Sequence, residues 1–166
     1  LEYLFPNIQS KIILIEKTFG CTRLVYNHYL GLQKELLANG KKMMSYNHMA
    51  NDMKKWKDDE KTFLKEVDST SLQQVLKHLN KAYTNHFRRP DHFDEPQFKS
   101  KKKSKKSYTS ALTNNNIRIE GKLIKLPKLG YVRIKMHRQL PKDSKITSVT
   151  VSKSASGKYY VSLTST

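Results

Sequence analysis

Cysteine is nearly absent from this sequence of 166 residues, because Cys21 is the single one. A lone thiol cannot form an internal disulfide or supply a thiolate metal cluster, so neither can hold this fold together. Long apolar runs are missing as well, since no stretch approaches the roughly 20 residues that cross a bilayer. The first residues also lack a basic stretch followed by an apolar signal core. We therefore expect a soluble protein of a reducing, cytoplasmic compartment, with no membrane partner.

Acidic residues are scarce in the second half of the chain. Residues 97–166 contain 17 Lys and Arg but only 2 Asp and Glu, a net charge of +15, whereas residues 1–96 carry +3. The whole chain has a formal charge of +18. Such one-sided charge attracts polyanions, and each phosphate that is neutralised releases counterions. Nucleic acid is therefore the expected partner, and the alternatives are an ordinary solvated surface or attraction to anionic lipid.

Side chains suited to catalysis or metal binding are also few. A metal-dependent nuclease holds its ions with acids that converge from separate strands, and the strand-rich half offers only Glu120 and Asp143. Acids near residues 58–60 and 66–68 fit helix ends, where the helix dipole interacts with charge. The six histidines have no cysteine or carboxylate at a familiar ligand spacing. We predict no catalytic residue, no metal site and no cofactor in this chain.

Apolar residues spaced three or four apart predict helices in the first half of the chain. The first predicted helix follows Pro6-Asn7, and the second starts after a break at Gly20-Cys21 and stops at Asn39-Gly40. Their buried stripes are Ile8, Ile12, Ile15 and Phe19, and then Val25, Tyr29, Leu32 and Leu36.

Two further helices are predicted by their caps and stripes. Ser45 can cap the third, and Thr70 with Gln73 has the spacing of a capping box at the start of the fourth. The fourth helix ends before Pro90. The stripes are Tyr46, Met49, Met53 and Trp56, and then Leu72, Leu76, Leu79, Tyr83 and Phe87.

Periodicity breaks down between Arg88 and Tyr108, where residues 99–106 are almost all lysine. Like charges repel there and nothing apolar offsets the cost of ordering, so a mobile linker is expected. Beyond it the apolar period becomes two, which indicates strands. Five short strands favour a small OB-like barrel over an open meander, because closure removes exposed edges. The predicted fold class is α+β, a helical domain followed by a five-stranded OB-like β-barrel whose inward residues are Ile117, Ile119, Ile124, Leu126, Val132, Ile134, Met136, Val149, Val151, Tyr159, Val161 and Leu163.

Basic side chains alternate with the apolar ones on the predicted strands. Such residues project from the outer face and could follow a phosphate backbone, reading charge and shape rather than sequence. The alternative is a solvated strand face, but solvated faces normally mix both signs of charge. This predicted cationic wall consists of Arg118, Arg133, Lys135 and His137.

Aromatic residues of the helical half could stack on unpaired bases, although most of them lie on the buried stripes and are better explained as core. Tyr26 lies off its helix's stripe, between Val25 and Asn27. We therefore predict Tyr26 as the base-stacking residue.

Several strings of residues are distinctive: Phe19-Gly20-Cys21-Thr22-Arg23-Leu24-Val25-Tyr26-Asn27-His28, Ser71-Leu72-Gln73-Gln74 with Ala82-Tyr83, Thr113-Asn114-Asn115-Asn116-Ile117, Leu126-Pro127-Lys128-Leu129-Gly130-Tyr131-Val132, and Ser148-Val149-Thr150-Val151-Ser152-Lys153 before Gly157-Lys158-Tyr159-Tyr160-Val161. In this order they resemble the amino-terminal half of TnpB, the insertion-sequence protein also called OrfB. One such string is a weak signal, whereas five in register over nearly the whole chain are specific.

The resemblance implies an RNA-guided DNA nuclease related to type V CRISPR effectors. Its helical recognition domain is inserted after the first strand of a wedge barrel, which divides this chain into a partial barrel strand (1–7), a recognition domain (8–96), a basic linker (97–112) and a wedge domain (113–166). These domains hold a structured guide RNA and read double-stranded DNA beside the target. The RuvC domain that cuts is expected to be missing here, so the chain itself is predicted not to be an enzyme. A prokaryotic or phage-encoded, nucleoid-associated protein is implied.

The resemblance also places individual residues. Tyr46, Gln73 and Thr113 would lie near the target-adjacent DNA motif, although Gln73 could instead complete its capping box and Tyr46 could be core. The amide of Gln73 can read adenine, which makes it the residue to test. Contacts to the nucleic-acid backbone are predicted for Arg23, Asn27, Arg88, Lys99, Lys101, Lys102, Lys103, Lys105 and Lys106, in addition to the strand residues Arg118, Arg133 and Lys135.

One string departs from the family. The family's Gly-Phe-Pro-x-Phe appears here as Asp94-Glu95-Pro96-Gln97-Phe98, with two acids where close backbone contact is expected. The main alternative function is a structural RNA-binding protein of ribosomal type, which would share the charge and the barrel but would not need Tyr46 or Gln73.

Overall fold

The computed structural model describes residues 8–166, and the predicted strand over residues 1–7 lies outside them. Three α-helices come first in the described chain, with a short 3-10 helix before the third, and six β-strands follow. The helices are α1 (Ile8–Ala38), α2 (Tyr46–Asp59) and α3 (Ser69–Arg88), and the 3-10 helix is Thr62–Glu66. The strands are β1 (Lys106–Ala111), β2 (Arg118–Glu120), β3 (Leu123–Leu126), β4 (Gly130–Arg133), β5 (Ile146–Lys153) and β6 (Tyr159–Ser165). The predicted α+β class is confirmed.

The described residues group into two compact units. Residues 20–104 form the helical unit, whereas residues 8–19 and 105–166 form the sheet unit. Helix α1 contributes its first part to the sheet unit and the remainder to the helical unit.

Helix α1 is continuous, so the predicted break at Gly20-Cys21 is wrong. A glycine inside a helix costs only about 1 kcal/mol relative to alanine. The buried side chains of Phe19, Cys21 and Val25 flank this position, and their burial outweighs that cost. The predicted stop at Asn39-Gly40 is confirmed, because Gly40 has a φ of +66° and the Lys41 amide donates to the Leu36 carbonyl at 2.8 Å.

The caps of α2 and α3 test the predicted helix starts. Ser45 caps α2 as predicted, since its hydroxyl oxygen accepts a hydrogen bond from the His48 amide at 3.2 Å. The capping box at Thr70 is wrong, because Asp68 is the N-cap of α3 and its carboxylate accepts from the Thr70 amide. Asp68 is the better cap because its negative charge interacts favourably with the helix N-terminus.

The core of the helical unit consists of one face from each helix. Two of its buried polar side chains are paired: the Tyr29 hydroxyl donates to Asp52 at 2.7 Å, and the Gln33 amide both donates to and accepts from the Met44 backbone at 2.9 Å. Phe87 is 55% exposed, so its predicted burial is wrong; it lies one turn beyond Tyr83, near the end of α3. The buried apolar residues include Cys21, Val25, Tyr26, Tyr29, Leu30, Met49, Met53, Leu64, Val67, Leu72, Leu76, Leu79 and Tyr83.

The six strands form two antiparallel sheets of three strands each, in the orders β1-β5-β6 and β2-β3-β4. No closed barrel is found among residues 8–166, so the predicted OB-like barrel of five strands is not confirmed. The strand β1 begins inside the segment that was predicted as a linker over residues 97–112, and this is a correction. The missed signal is the alternation of Tyr108 and Ser110, whose side chains are buried in a strand with few strongly apolar residues.

The two sheets and the first part of α1 share one apolar core. In it, the rings of Phe19 and Tyr108 lie with their centroids 5.7 Å apart. The Lys11 ammonium group donates to the carbonyl oxygens of Leu129 and Tyr131, at 2.9 and 2.7 Å, and so fixes α1 to the turn between β3 and β4. The buried members are Ile15, Phe19, Tyr108, Ile117, Ile124, Leu126, Leu129, Val149 and Val151.

Glu16 connects α1 to β5 and β6. Its carboxylate oxygen Oε1 accepts hydrogen bonds from the Lys153 ammonium group at 2.7 Å and from the Tyr159 hydroxyl at 2.6 Å. Lys153 stands directly opposite Lys106 in the β1–β5 ladder, and like charges in that position destabilise a sheet. The carboxylate offsets this repulsion, and the hydrogen bond from Lys153 is the main reason that the pKa of Glu16 is lowered.

Replacing Glu16 by glutamine should lower the free energy of unfolding by about 1 kcal/mol at neutral pH, as expected for a partly exposed, hydrogen-bonded ion pair. Because the pKa of Glu16 is lower in the folded chain, its contribution is present above the unfolded-state pKa and is lost as pH falls through the folded-state pKa. Urea titrations followed by circular dichroism should therefore show the two proteins converging in acid. The exposed Glu35 gives the control Glu35→Gln, and a Glu16→Gln deficit that stays constant into strong acid would contradict this account.

Candidate nucleic-acid interface

The segment after α3 is held against the helical unit, so the prediction of a mobile linker from Arg88 to Tyr108 is wrong for this part. We call residues 89–100 the strap. The Phe93 carbonyl lies 2.9 Å from His86 Nδ1, Pro96 is buried, and the Phe98 ring lies beside Gly31. Lys34 pairs with the Glu95 carboxylate at 3.3 Å and lies over the Phe98 ring at 5.7 Å. Apolar and ionic contacts along the strap therefore supply the ordering energy that its composition does not reveal.

Glu95 also explains the departure from the family's Gly-Phe-Pro-x-Phe string. Its carboxylate is paired with Lys34 within the helical unit. Such pairing reduces the repulsion that an acid at this position would exert on a phosphate.

Asn27 holds the end of the strap. Its side-chain nitrogen donates to the Lys99 carbonyl and its side-chain oxygen accepts from the Lys99 amide, both at 2.8 Å. Both ends of the amide are thus engaged by the chain itself. The predicted direct contact between Asn27 and a nucleic-acid backbone remains untested, and the geometry gives this side chain another use.

Three predicted lysines lie on an ordered turn directly after the strap. We call residues 100–104 the lysine turn. The Ser100 carbonyl accepts from the Ser104 amide and the Ser100 hydroxyl accepts from the Lys103 amide, each at 3.1 Å. Lys101, Lys102 and Lys103 are exposed, and within residues 8–166 none of the three forms an ion pair with an acid. The turn therefore presents three uncompensated positive charges to solvent.

Tyr26 is not an open stacking platform, and this corrects the prediction. Its residue surface is only 7% exposed, and the Lys99 ammonium group lies 4.1 Å from its ring centroid. Burial raises the pKa of Tyr26, and desolvation lowers the pKa of Lys99. Position off the apolar stripe suggested exposure, but the strap covers this side of α1.

Tyr46 and Gln73 lie on neighbouring helices of the helical unit. Gln73 is exposed, and no hydrogen bond to its side chain occurs in the described part of the chain, so the capping-box alternative is excluded. Tyr46, the first residue of α2, is half-buried, and the Lys77 ammonium group lies 5.6 Å from its ring centroid. Lys77 follows Gln73 by one turn on the same face of α3. The structure thus brings Tyr46, Lys77 and Gln73 to one side of the helical unit.

Thr113 belongs to the sheet unit and starts a tight turn before β2. Asn116 stabilises this turn, since its side chain accepts from the Thr113 amide at 2.8 Å and donates to the Thr113 hydroxyl at 3.2 Å and to the Ala111 carbonyl at 3.1 Å. Asn114 and Asn115 have positive φ values of 48° and 57°, a conformation that asparagine adopts more readily than most residues. All three of Thr113, Asn114 and Asn115 are exposed.

The predicted cationic wall is partly assembled. A groove of about 840 Å³ in the sheet unit is lined by Arg133, Lys135 and His137, together with Arg138 and apolar residues of β4 and β6. Strand β4 ends at Arg133, so Lys135 and His137 follow the strand instead of alternating along it as predicted. Arg118 is not part of this lining, and its guanidinium lies 3.9 Å from the Glu120 carboxylate.

The remaining predicted residues are dispersed over the two units. Arg23 is half-buried on α1, and Arg88 is exposed at the end of α3. Lys105 is exposed, whereas Lys106 is the first residue of β1. Lys77 and Arg138 were not predicted, but they lie beside predicted residues, Lys77 near Tyr46 and Arg138 in the groove. The spacing of Lys77 four residues after Gln73 was an available signal.

Over residues 8–166, no group of three or more His, Cys, Asp or Glu side chains could hold a metal ion. None of the described helices combines the length and the apolar character that a membrane span requires.

Known proteins similar to this chain come from one family. Residues 9–42, which take up α1 and the turn after it, match the helix-turn-helix domain of IS605 OrfB proteins. A Streptomyces pristinaespiralis protein named as an RNA-guided DNA endonuclease is 36% identical over 166 residues, 98% of this chain. This chain matches the amino-terminal part of TnpB/OrfB-family proteins. InsQ of Escherichia coli K12, another TnpB/OrfB protein named as an RNA-guided DNA endonuclease, is 37% identical over 145 residues, 87% of this chain.

This chain spans 40% of the Streptomyces TnpB/OrfB protein and 34% of InsQ. The part that matches is the amino-terminal part of these relatives. The predicted resemblance is therefore confirmed, as is the presence of a helix-turn-helix domain of transposon-associated proteins.

Proposed function

We propose that this chain is the nucleic-acid-binding part of a TnpB-like protein, which holds a structured guide RNA and reads a short motif in double-stranded DNA beside the target. The observation that carries this proposal is the lysine turn, whose Lys101, Lys102 and Lys103 are exposed and lack acidic partners in the described chain. Lysines without acidic partners on an ordered turn suit consecutive phosphates, because neutralising each phosphate releases counterions. We propose that the chain binds RNA and DNA in the cytoplasm, at the nucleoid.

DNA reading is assigned to the side of the helical unit that carries Gln73. An exposed amide can both donate to and accept from adenine in the major groove, whereas a lysine has no acceptor and cannot match this pattern. Lys77, one helical turn away, could contact the neighbouring phosphate. Thr113 and the asparagines after it are proposed as a further reading element of the sheet unit.

RNA holding is assigned to the sheet unit and to the lysine turn. We propose that the two sheets belong to a wedge-type barrel, whose groove residues Arg133, Lys135 and Arg138 contact the guide RNA backbone. Recognition of structured RNA depends largely on shape and phosphate contacts, which suits a cationic groove with apolar walls.

Cutting is not part of the proposed function of this chain. The relatives are named as RNA-guided DNA endonucleases, but they are more than twice as long as the matched part. The sheet unit contains Glu16, Glu120 and Asp143 as its described acids. Glu16 is hydrogen-bonded to Lys153 and Tyr159, which leaves few carboxylates for binding two metal ions.

The decisive experiment is to purify the chain at moderate salt and to sequence the nucleic acid that copurifies with it. We expect one structured RNA to be strongly enriched over its share in the cell. The triple variant Lys101→Gln, Lys102→Gln, Lys103→Gln serves as the control and should recover much less RNA. Recovery of RNA in proportion to cellular abundance would instead favour the ribosomal type of protein, and magnesium-dependent cleavage of DNA by the purified chain would refute the absence of catalysis.

A further inference from the structure

We propose that Asn27 is a positioning residue, whose side-chain amide fixes the strap so that Lys101, Lys102 and Lys103 form a preordered site for consecutive backbone phosphates. The identification of nucleic acid as the ligand of this site rests on the proposed function. The ordering of the turn by Asn27 is a property of the free chain and can be tested separately.

The geometry of Asn27 suits fixation of a backbone. Two hydrogen bonds of 2.8 Å connect one rigid side-chain amide to the amide and the carbonyl of the same residue, Lys99. Such a pair restrains both the position and the orientation of Lys99, as a paired strand would. Asn27 itself lies in the interior of the 31-residue helix α1, so its backbone is held by helical hydrogen bonds on both sides.

The lysine turn starts one residue beyond this clamp. Ser100 follows Lys99, and its carbonyl and hydroxyl oxygens accept the hydrogen bonds that close the turn. If Lys99 were free, Ser100 would lose its fixed position relative to α1. The three lysines of the turn would then have to be ordered during binding, which weakens affinity because side-chain and backbone freedom is lost at that step.

Lys99 has a different role from the three lysines of the lysine turn. Its ammonium group lies over the Tyr26 ring at 4.1 Å, a distance at which the cation is attracted to the face of the ring. Because of this contact, the ammonium group of Lys99 interacts with the helical unit itself. The phosphate site is therefore assigned to Lys101, Lys102 and Lys103, and Lys99 joins Asn27 as an anchor.

The first test uses limited trypsin digestion of the full free chain, with cleavage sites identified by mass spectrometry. Asn27→Ala should accelerate cleavage after Lys101, Lys102 and Lys103 by about tenfold, the factor expected when two net-stabilising hydrogen bonds are removed. Cleavage elsewhere, including after Lys54 in α2, should keep its rate. Asn80→Ala is the matched control, because Asn80 is an exposed helical asparagine. Unchanged cleavage of the turn in Asn27→Ala would overturn the positioning role.

The second test measures binding of a short fluorescein-labelled RNA hairpin and of a DNA duplex over a range of salt concentrations. Asn27→Ala should weaken binding about tenfold while the slope of log Kd against log salt stays unchanged, because the same phosphates are contacted in the complex. In the background Lys101→Gln, Lys102→Gln, Lys103→Gln, the substitution at Asn27 should have no further effect.

The outcomes separate this inference from the proposed function. An equal loss from Asn27→Ala in both backgrounds would show that Asn27 acts without the lysine turn, and would overturn the inference alone. Failure of the unsubstituted chain to bind either probe at low salt would overturn the proposed function and the ligand assigned to the turn. Faster trypsin cleavage in that case would still identify Asn27 as the residue that orders the turn.

Discussion

Replacement of Lys101, Lys102, Lys103, Lys105 and Lys106 by glutamine is expected to weaken nucleic-acid binding by about 10²- to 10³-fold near physiological salt. Each phosphate contact that is lost removes the release of about one counterion, so the slope of log Kd against log salt should fall by up to about 4 to 5. Fluorescence anisotropy with an RNA hairpin and a DNA duplex measures both quantities. The effect should be similar for different sequences, because phosphate contacts carry no sequence information.

The control for this variant must remove the same charge elsewhere. Lys41, Lys42, Lys54, Lys55 and Lys61 lie in the helical unit outside the strap and the lysine turn, and their substitution by glutamine changes the net charge equally. If binding depended on net charge alone, the two quintuple variants would lose the same affinity and the same slope. That result would show that the five lysines of residues 101–106 are not a specific part of the nucleic-acid interface.

Substitution of Gln73 by alanine is expected to reduce the preference for the target-adjacent DNA motif by about 1–3 kcal/mol, while RNA affinity stays unchanged. The physical reason is that a side-chain amide discriminates adenine by a donor and an acceptor, and alanine offers neither. Competition binding between a motif-bearing duplex and duplexes with single base changes measures the preference. Because Gln73 is exposed and does not cap α3, the substitution should leave stability within about 0.5 kcal/mol of the unsubstituted chain.

Lys77→Gln provides the contrast for Gln73→Ala. Lys77 occupies the same face of α3, one turn later, and its charge can contact a phosphate but cannot read a base as the Gln73 amide does. We expect Lys77→Gln to weaken binding to all duplexes equally and to lower the slope of log Kd against log salt by about 1. An equal loss for every duplex in Gln73→Ala would remove Gln73 from motif reading.

Helices were predictable where a local signal agreed with packing. The Ser45 cap and the Gly40 stop were read correctly, because each depends on a side chain or a φ value that acts within a few residues. The break at Gly20 was wrong because its cost of about 1 kcal/mol is smaller than the burial of Phe19 and Val25 on either side.

The strap was not predictable from composition, because its stabilising contacts are distant in sequence. Asn27 and Lys99 are 72 positions apart, and Lys34 and Glu95 are 61 apart. A polar segment without apolar periodicity resembles a disordered linker until these partners are known. Strand β1 was missed for a related reason, since Ser and Thr fill half of it and its pairing with β5 supplies the order.

The candidate site residues stay predictions, and the structure shows only how exposed each of them is. Gln73 is exposed on α3 next to Lys77, as a reading residue requires, whereas Tyr26 is buried beneath Lys99. The difference arises from burial by residues that follow much later in the chain. Residue type and helical spacing do not reveal that the strap covers Tyr26.

Lys34 attaches the strap in two ways that respond differently to added electrolyte. Its ion pair with Glu95 is exposed enough to be screened within a Debye length of roughly 8–10 Å, whereas its contact with the Phe98 ring and the burial of Pro96 depend little on ionic strength. The neutral amide clamp of Asn27 is likewise insensitive to salt. The strap should therefore stay in place at salt concentrations that dissociate nucleic acid. The lysine turn would then remain ordered after dissociation, and it could bind another nucleic acid without being ordered again.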